Sequence, residues 1–172
     1  MSLIELLTPF AGAWTGSNRL WMMPGTDPEE SAGTATLGFS GQGKFAELRY
    51  TWATEGDPED GFIVLRELRG GVQAVWGDSW HTPDGFYLWN GEVVGSDRAG
   101  LPTERGPQTG GLIIVRGNYP APTGPDWGWR IELDLRLAGQ LQMRMVNITP
   151  DGEEMLAVQA VYTGVKFSND TF

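Results

Sequence analysis

WGWRIELDLRL, residues 127–137, alternates without a fault. Trp127, Trp129, Ile131, Leu133, Leu135 and Leu137 fall on one side, and Arg130, Glu132, Asp134 and Arg136 on the other. A side-chain period of two is the signature of a strand with one face on a core and the other on water or a polar cavity. A helix would scatter these residues around its circumference.

The same reading extends in both directions. AWTGSNRLWM (13–22), GTATLGFS (33–40), KFAELRYTWAT (44–54), GFIVLREL (61–68), VQAVWGDSW (72–80) and GFYLWNGEVV (85–94) precede it. GGLIIVRGN (110–118) adjoins it, and QLQMRMVNIT (140–149) and EMLAVQAVYTGVKF (154–167) follow. Gly, Pro and Asp separate the segments, as antiparallel hairpins require. RGG (69–71), AGQ (138–140), HTPDG (81–85) and PDGE (150–153) are tight turns, the last with Asp-Gly where a positive φ is needed. Helical periodicity is confined to LIELLT (3–8), ahead of Pro9.

Close spacing with no long crossover predicts an all-β chain. It forms a single antiparallel up-and-down barrel of 8–10 strands with a short N-terminal helix, in one domain over 1–172. Two Gly/Pro-rich segments, 95–111 and 117–128, flank one strand and so belong at opposite ends of the barrel. The closing strand is apolar on both faces. Its outward side calls for cover from the helix or from a second copy, and a homodimer is expected.

Composition excludes several classes of function. Twelve basic against 22 acidic residues, a net charge of −10, give no electrostatic footprint for nucleic acid. The chain has no cysteine, which removes disulfides, thiolate metal sites and cysteine nucleophiles and fits a reducing, cytoplasmic setting. No apolar run reaches the ~20 residues of a membrane span, and MSLIELLTPF lacks the pattern of a secretory signal. The acidic stretch EGDPEDG (55–61) misses the spacing of a calcium loop and reads as an acidic turn. No metal site is expected.

GAWTG (12–16) contains the G-x-W that opens many calycins, which include lipocalins, fatty-acid-binding proteins and nitrobindin-like barrels. With VQAVWGDSWHTPDG and MRMVNITPDGEEMLAVQAVYTGV, the chain resembles a bacterial domain family of unknown function with a lipocalin-like barrel. The resemblance implies a calycin-type barrel with a small-molecule cavity and no assigned activity. It implies that Trp14 plugs the closed end, with Lys166 taking the place of the basic side chain that stacks across it. Nitrobindin-like barrels hold haem through a histidine near the C-terminus; residues 82–172 contain none. A histidine-ligated haem is therefore disfavoured, and no cofactor is expected.

Candidate site residues follow from the strand faces. WGDSWHTPDGFYLWNG (76–91) carries His81, the single histidine of the chain. On a hairpin turn it reads as solvated, too close in sequence to Ser79 and Asp84 to build a nucleophilic relay. Asp78 stands between Trp76 and Trp80 on one strand face, where a carboxylate is costly unless partnered. A strand arginine, Arg49, Arg66 or Arg130, is the expected partner. Tyr87 and Trp89 share the face of the next strand. The ligand-binding candidates are thus Trp76, Asp78, Trp80, Tyr87, Trp89, Arg49 and Arg130, around a small, largely apolar or amphiphilic ligand. No catalytic residue is assigned. The alternatives are a barrel enzyme of isomerase, cyclase or lyase type using Asp78, Tyr162 or an arginine, and a filled barrel that serves as an interaction module.

Overall fold

Ten strands run β1 (Gly12–Leu20), β2 (Glu29–Ser40), β3 (Phe45–Thr54), β4 (Asp57–Leu68), β5 (Gly71–Asp78), β6 (Tyr87–Val94), β7 (Leu112–Tyr119), β8 (Trp127–Asp134), β9 (Gln140–Ile148) and β10 (Glu154–Gly164). Each pairs antiparallel with its neighbours in sequence, and β1 pairs with β10 to close the barrel. The computed structural model describes residues 1–95, 110–121 and 123–164. All ten expected strands are present. β5 stops at Asp78, short of Trp80, and β4 begins at Asp57, so the acidic stretch is a turn only at Glu55–Gly56.

The barrel has two unlike ends. The N-terminal helix α1 (Leu3–Leu7) closes one of them. Ser2 and Glu5 form its reciprocal cap: the Ser2 hydroxyl accepts from the Glu5 N–H, and the Glu5 carboxylate accepts from the Ser2 N–H. Leu3, Leu6, Leu7 and, in the following turn, Phe10 are buried. Trp14, 6% exposed, stacks on Phe10 with ring centroids 6.1 Å apart and donates its indole N–H to the Phe10 carbonyl at 2.9 Å. Lys166, expected to stack across Trp14, lies outside the described residues.

Inward residues fill the barrel above this plug. Leu48, Ile63, Leu65, Ile113, Ile131, Leu141, Met143 and Tyr162 are all essentially without exposed surface. In β8 the inward set Trp129, Ile131 and Leu133 is buried, and Leu135 just beyond the strand is buried with them. Arg130, on the outer face, donates to Glu132 at 2.7 Å and to Glu154 at 2.8 Å. Helix α1 seals the barrel end and does not lie along β10. The outward side chains Gln159 and Val161 of that strand are therefore half-buried rather than covered.

Topology assigns the connections. The 95–111 connection leaves β6 and enters β7 at the helix end, where Gly111 packs against Leu6. Residues 96–109 lie outside the described residues. Residues 117–119 and 127–128 of the 117–128 segment are strand, so the connection itself is 120–126, at the opposite, open end. The hairpin 21–28 and the turn 79–86 share that end.

Candidate functional site

The chemistry of this chain gathers at the open end, around Asp78. The carboxylate is the last residue of β5, faces inward and has no exposed side-chain surface. Its Oδ2 accepts from the Tyr50 hydroxyl at 2.8 Å and the Trp52 indole at 3.3 Å. Its Oδ1 accepts from the Trp80 N–H at 3.0 Å, the His81 N–H at 2.9 Å and the His81 ring Nδ1 at 2.9 Å. Tyr50 in turn accepts from the Trp76 indole at 2.9 Å. Thr82 ties the turn down, accepting from the Asp78 N–H at 2.7 Å.

Burial alone would raise the pKa of Asp78. The hydrogen bonds from the His81 ring and backbone, with that of the Tyr50 hydroxyl, more than offset it and hold the carboxyl below its ordinary range. Tyr50 shifts the other way, far up, because it is buried and faces the Asp78 charge. The group at the centre is thus a carboxylate whose neighbours all donate.

This corrects three expectations. Asp78 is partnered by His81, Tyr50 and Trp52, not by an arginine. Arg49 lies on the outer face of β3 with a side chain 71% exposed, and Arg130 is held by glutamates outside the barrel; neither reaches the site. His81 is not a solvated turn residue. Its imidazole is only 7% exposed, enclosed by the rings of Trp52, Trp76, Trp80 and Trp129 at centroid distances of 4.7 to 6.0 Å. The reason is local. Asp78 captures the backbone N–H groups of the second and third residues after it, as Asp does at the start of an Asx turn. That curls the turn inward and drops the imidazole into the barrel mouth instead of releasing it to water.

Above His81 lies a half-enclosed cavity of about 270 Å³. Its walls are Trp76, Trp80, His81, Tyr87 and Trp129, with Leu20, Trp21 and Met22 from the end of β1, Tyr119, Asn147, and Ala157 at a bulge in β10. No Asp, Glu, Lys or Arg is among these lining residues. Trp76 and Trp129 stack at 5.6 Å and 13°, Tyr87 and Trp89 at 5.3 Å and 15°. Of the expected residues, Trp76, Trp80 and Tyr87 line the cavity, Trp89 backs it, and Asp78 stands behind His81.

Among the described residues, two polar atoms of wall residues lack partners. His81 Nε2 and Trp129 Nε1 are buried and form no hydrogen bond. Tyr119, by contrast, donates to Asn147 at 2.8 Å. Deeper in the barrel, Asn18 Nδ2 and Tyr162 OH are also unpartnered, but neither lines the cavity. Among the described residues, no cluster of three or more His, Cys, Asp or Glu side chains could hold one metal ion. No described helix is long and apolar enough to cross a membrane.

Sequence reasoning passed over Trp129, Tyr119, Asn147 and the Leu20–Met22 corner as site residues. Trp129 was legible as inward-facing. Nothing in sequence spacing brings β1, β7, β9 and β10 to one rim.

The chain matches, over residues 4–164, the family model described as "Protein of unknown function (DUF1579)". No curated protein matches it. The crystal structure of Rv2717c from M. tuberculosis is similar in fold, with a TM-score of 0.59 over 95% of this chain and 97% of that one, at 16% identity.

Proposed function

We propose, for a chain that belongs to the DUF1579 family of proteins of unknown function, that the open end of the barrel binds a small, largely apolar molecule. The observation that carries this reading is a half-enclosed cavity walled by aromatic rings, with no Asp, Glu, Lys or Arg among its lining residues. At about 270 Å³ the cavity falls just below the usual ~300–1,000 Å³ of small-molecule sites, which favours one or two fused rings over a long acyl chain.

The remainder of the barrel is packed solid, so the ligand sits in the mouth and not along the axis. An apolar environment-sensitive dye should bind saturably with one site and be displaced by small aromatic compounds. His81→Ala and Tyr87→Ala should weaken it. A dye that fails to saturate, or binds equally well to both variants, would refute the reading.

The Asp78–His81 pair supports a second reading, a proton-transfer enzyme of isomerase, cyclase or lyase type. A carboxylate on Nδ1 fixes the tautomer that leaves Nε2 free to take a proton from a bound substrate. Turnover lost in His81→Gln with dye binding retained would identify it.

A further inference from the structure

The two ends of the barrel differ in charge. At the open end the connections 21–28, 55–56, 79–86, 120–126 and 149–153 carry Asp27, Glu55, Asp84, Asp126, Asp151 and Glu153, and no lysine or arginine. At the helix end the described connections 41–44, 69–70 and 135–139 carry Lys44, Arg69 and Arg136, and no Asp or Glu. Carboxylates therefore stand around the mouth of the cavity, and their field attracts cations and repels anions.

We infer that the cavity takes compact organic cations whose charge sits on a quaternised nitrogen, held against the rings of Trp21, Trp76, Trp80, Tyr87, Tyr119 and Trp129. This rests on the binding reading above and deepens it by giving the ligand a charge. Six of the eleven lining residues are Trp or Tyr, and none is Lys or Arg. A cation within about 6 Å of an aromatic ring centroid is attracted by the ring, most strongly by Trp and where water is excluded. A cavity of about 270 Å³ keeps any occupant against its walls. Trp80, 39% exposed, is the ring that a cation entering from solvent meets most readily.

Nothing in the site opposes a positive charge. Asp78 stays ionised, because its carboxyl is held below its ordinary range. With a neutral imidazole the Asp78–His81 pair is negative, and with a protonated one it is neutral. In neither state does it add net positive charge. A neutral ligand would gain nothing from the carboxylates at the mouth, and an anion would be repelled in a chain of net charge −10. A quaternised nitrogen also suits walls without carboxylates. It has no N–H to leave unpaired, and its surface is carbon, whereas a primary ammonium would need acceptors that the lining does not supply as Asp or Glu.

The test is a calorimetric titration of the full chain with three probes of one shape, at low salt and about pH 8, where a carboxylic acid is ionised. The probes are N-methylquinolinium, its neutral counterpart 1-methylnaphthalene, and anionic 1-naphthoate. N-methylquinolinium should bind roughly tenfold tighter than 1-methylnaphthalene, with naphthoate weakest. Two variants locate the cation. Trp80→Leu, which keeps an apolar wall and removes a ring, should shrink the ratio of cation to neutral affinity by roughly threefold or more. Asp84→Lys combined with Asp126→Lys should shrink the same ratio at low salt, and by less as salt screens the mouth. The ligand series on the unaltered protein decides the matter even where a variant fails to fold. Equal binding of the cation and 1-methylnaphthalene, tighter binding of naphthoate, or a cation preference unmoved by both variants would overturn the cation assignment and leave the binding reading standing. No binding by any probe would overturn both.

Discussion

Asp78 holds His81 twice with one atom: Oδ1 accepts both the backbone N–H and the ring Nδ1 of the same residue, each at 2.9 Å. This double grip converts a hairpin turn into the floor of a cavity. It fixes the imidazole's tautomer, its orientation and its depth together.

Removing the grip should be costly. Asp78→Ala strands the Tyr50 hydroxyl, the Trp52 indole and the His81 ring, all buried donors. A loss of about 3–5 kcal/mol is expected by chemical denaturation, in the range measured when one partner of a buried charged network is deleted. A loss under about 1 kcal/mol would mean the network is not formed in solution.

Acid should undo the same contribution. The folded-state pKa of Asp78 lies below that of an unfolded aspartate, near 3.9. Its stabilisation is then complete above about pH 4 and fades as pH falls through the lower, folded value. Stability curves of the unaltered chain and Asp78→Asn should therefore converge below about pH 4 and run parallel above it. Convergence on the alkaline side would contradict the assigned direction.

Two glycines should behave as ligand-site residues although neither touches the cavity. A Cβ at Gly61 would stand 2.4 Å from the Tyr50 ring and hydroxyl, and one at Gly117 would fall inside the Trp89 ring. Gly61→Ala should push Tyr50 off Asp78; Gly117→Ala should displace Trp89 from Tyr87 and Trp76. Each variant should lose dye affinity and shift tryptophan emission. Gly38→Ala on β2, where the added methyl meets nothing within 4 Å, is the control that should do neither.

At the other end, Trp14→Ala empties a plug that stacks on Phe10 and donates to its carbonyl. A cost of about 3–5 kcal/mol is expected from thermal or denaturant unfolding. Trp14→Phe, which keeps a ring and loses the hydrogen bond, should cost about 1–2 kcal/mol.

The strands were legible because alternation is a local signal, and in β8 it is unbroken from Trp127 to Leu133. The cavity was half legible. Trp76, Trp80 and Tyr87 could be placed because they follow that alternation or sit next to it. His81 could not, since its position depends on a carboxylate three residues back that reaches forward to two backbone N–H groups. A turn drawn from residue types alone gives no sign of which way such a side chain swings. The arginine partners failed for a related reason. Strand arginines alternate onto the outer face, where Glu132 and Glu154 meet Arg130 at no desolvation cost comparable to that of the interior.

The pairing of Trp14 with Gly164 sets the order in which the molecule can be made. Every other strand pair joins consecutive segments and can form as the chain emerges, but β1 must wait for β10, the last of the ten described strands in chain order. Until then the nascent sheet carries two bare edges and an unsealed aromatic interior, and contacts of this sequence separation form slowly. The interval before closure is when the protein is most exposed to aggregation and most dependent on chaperones.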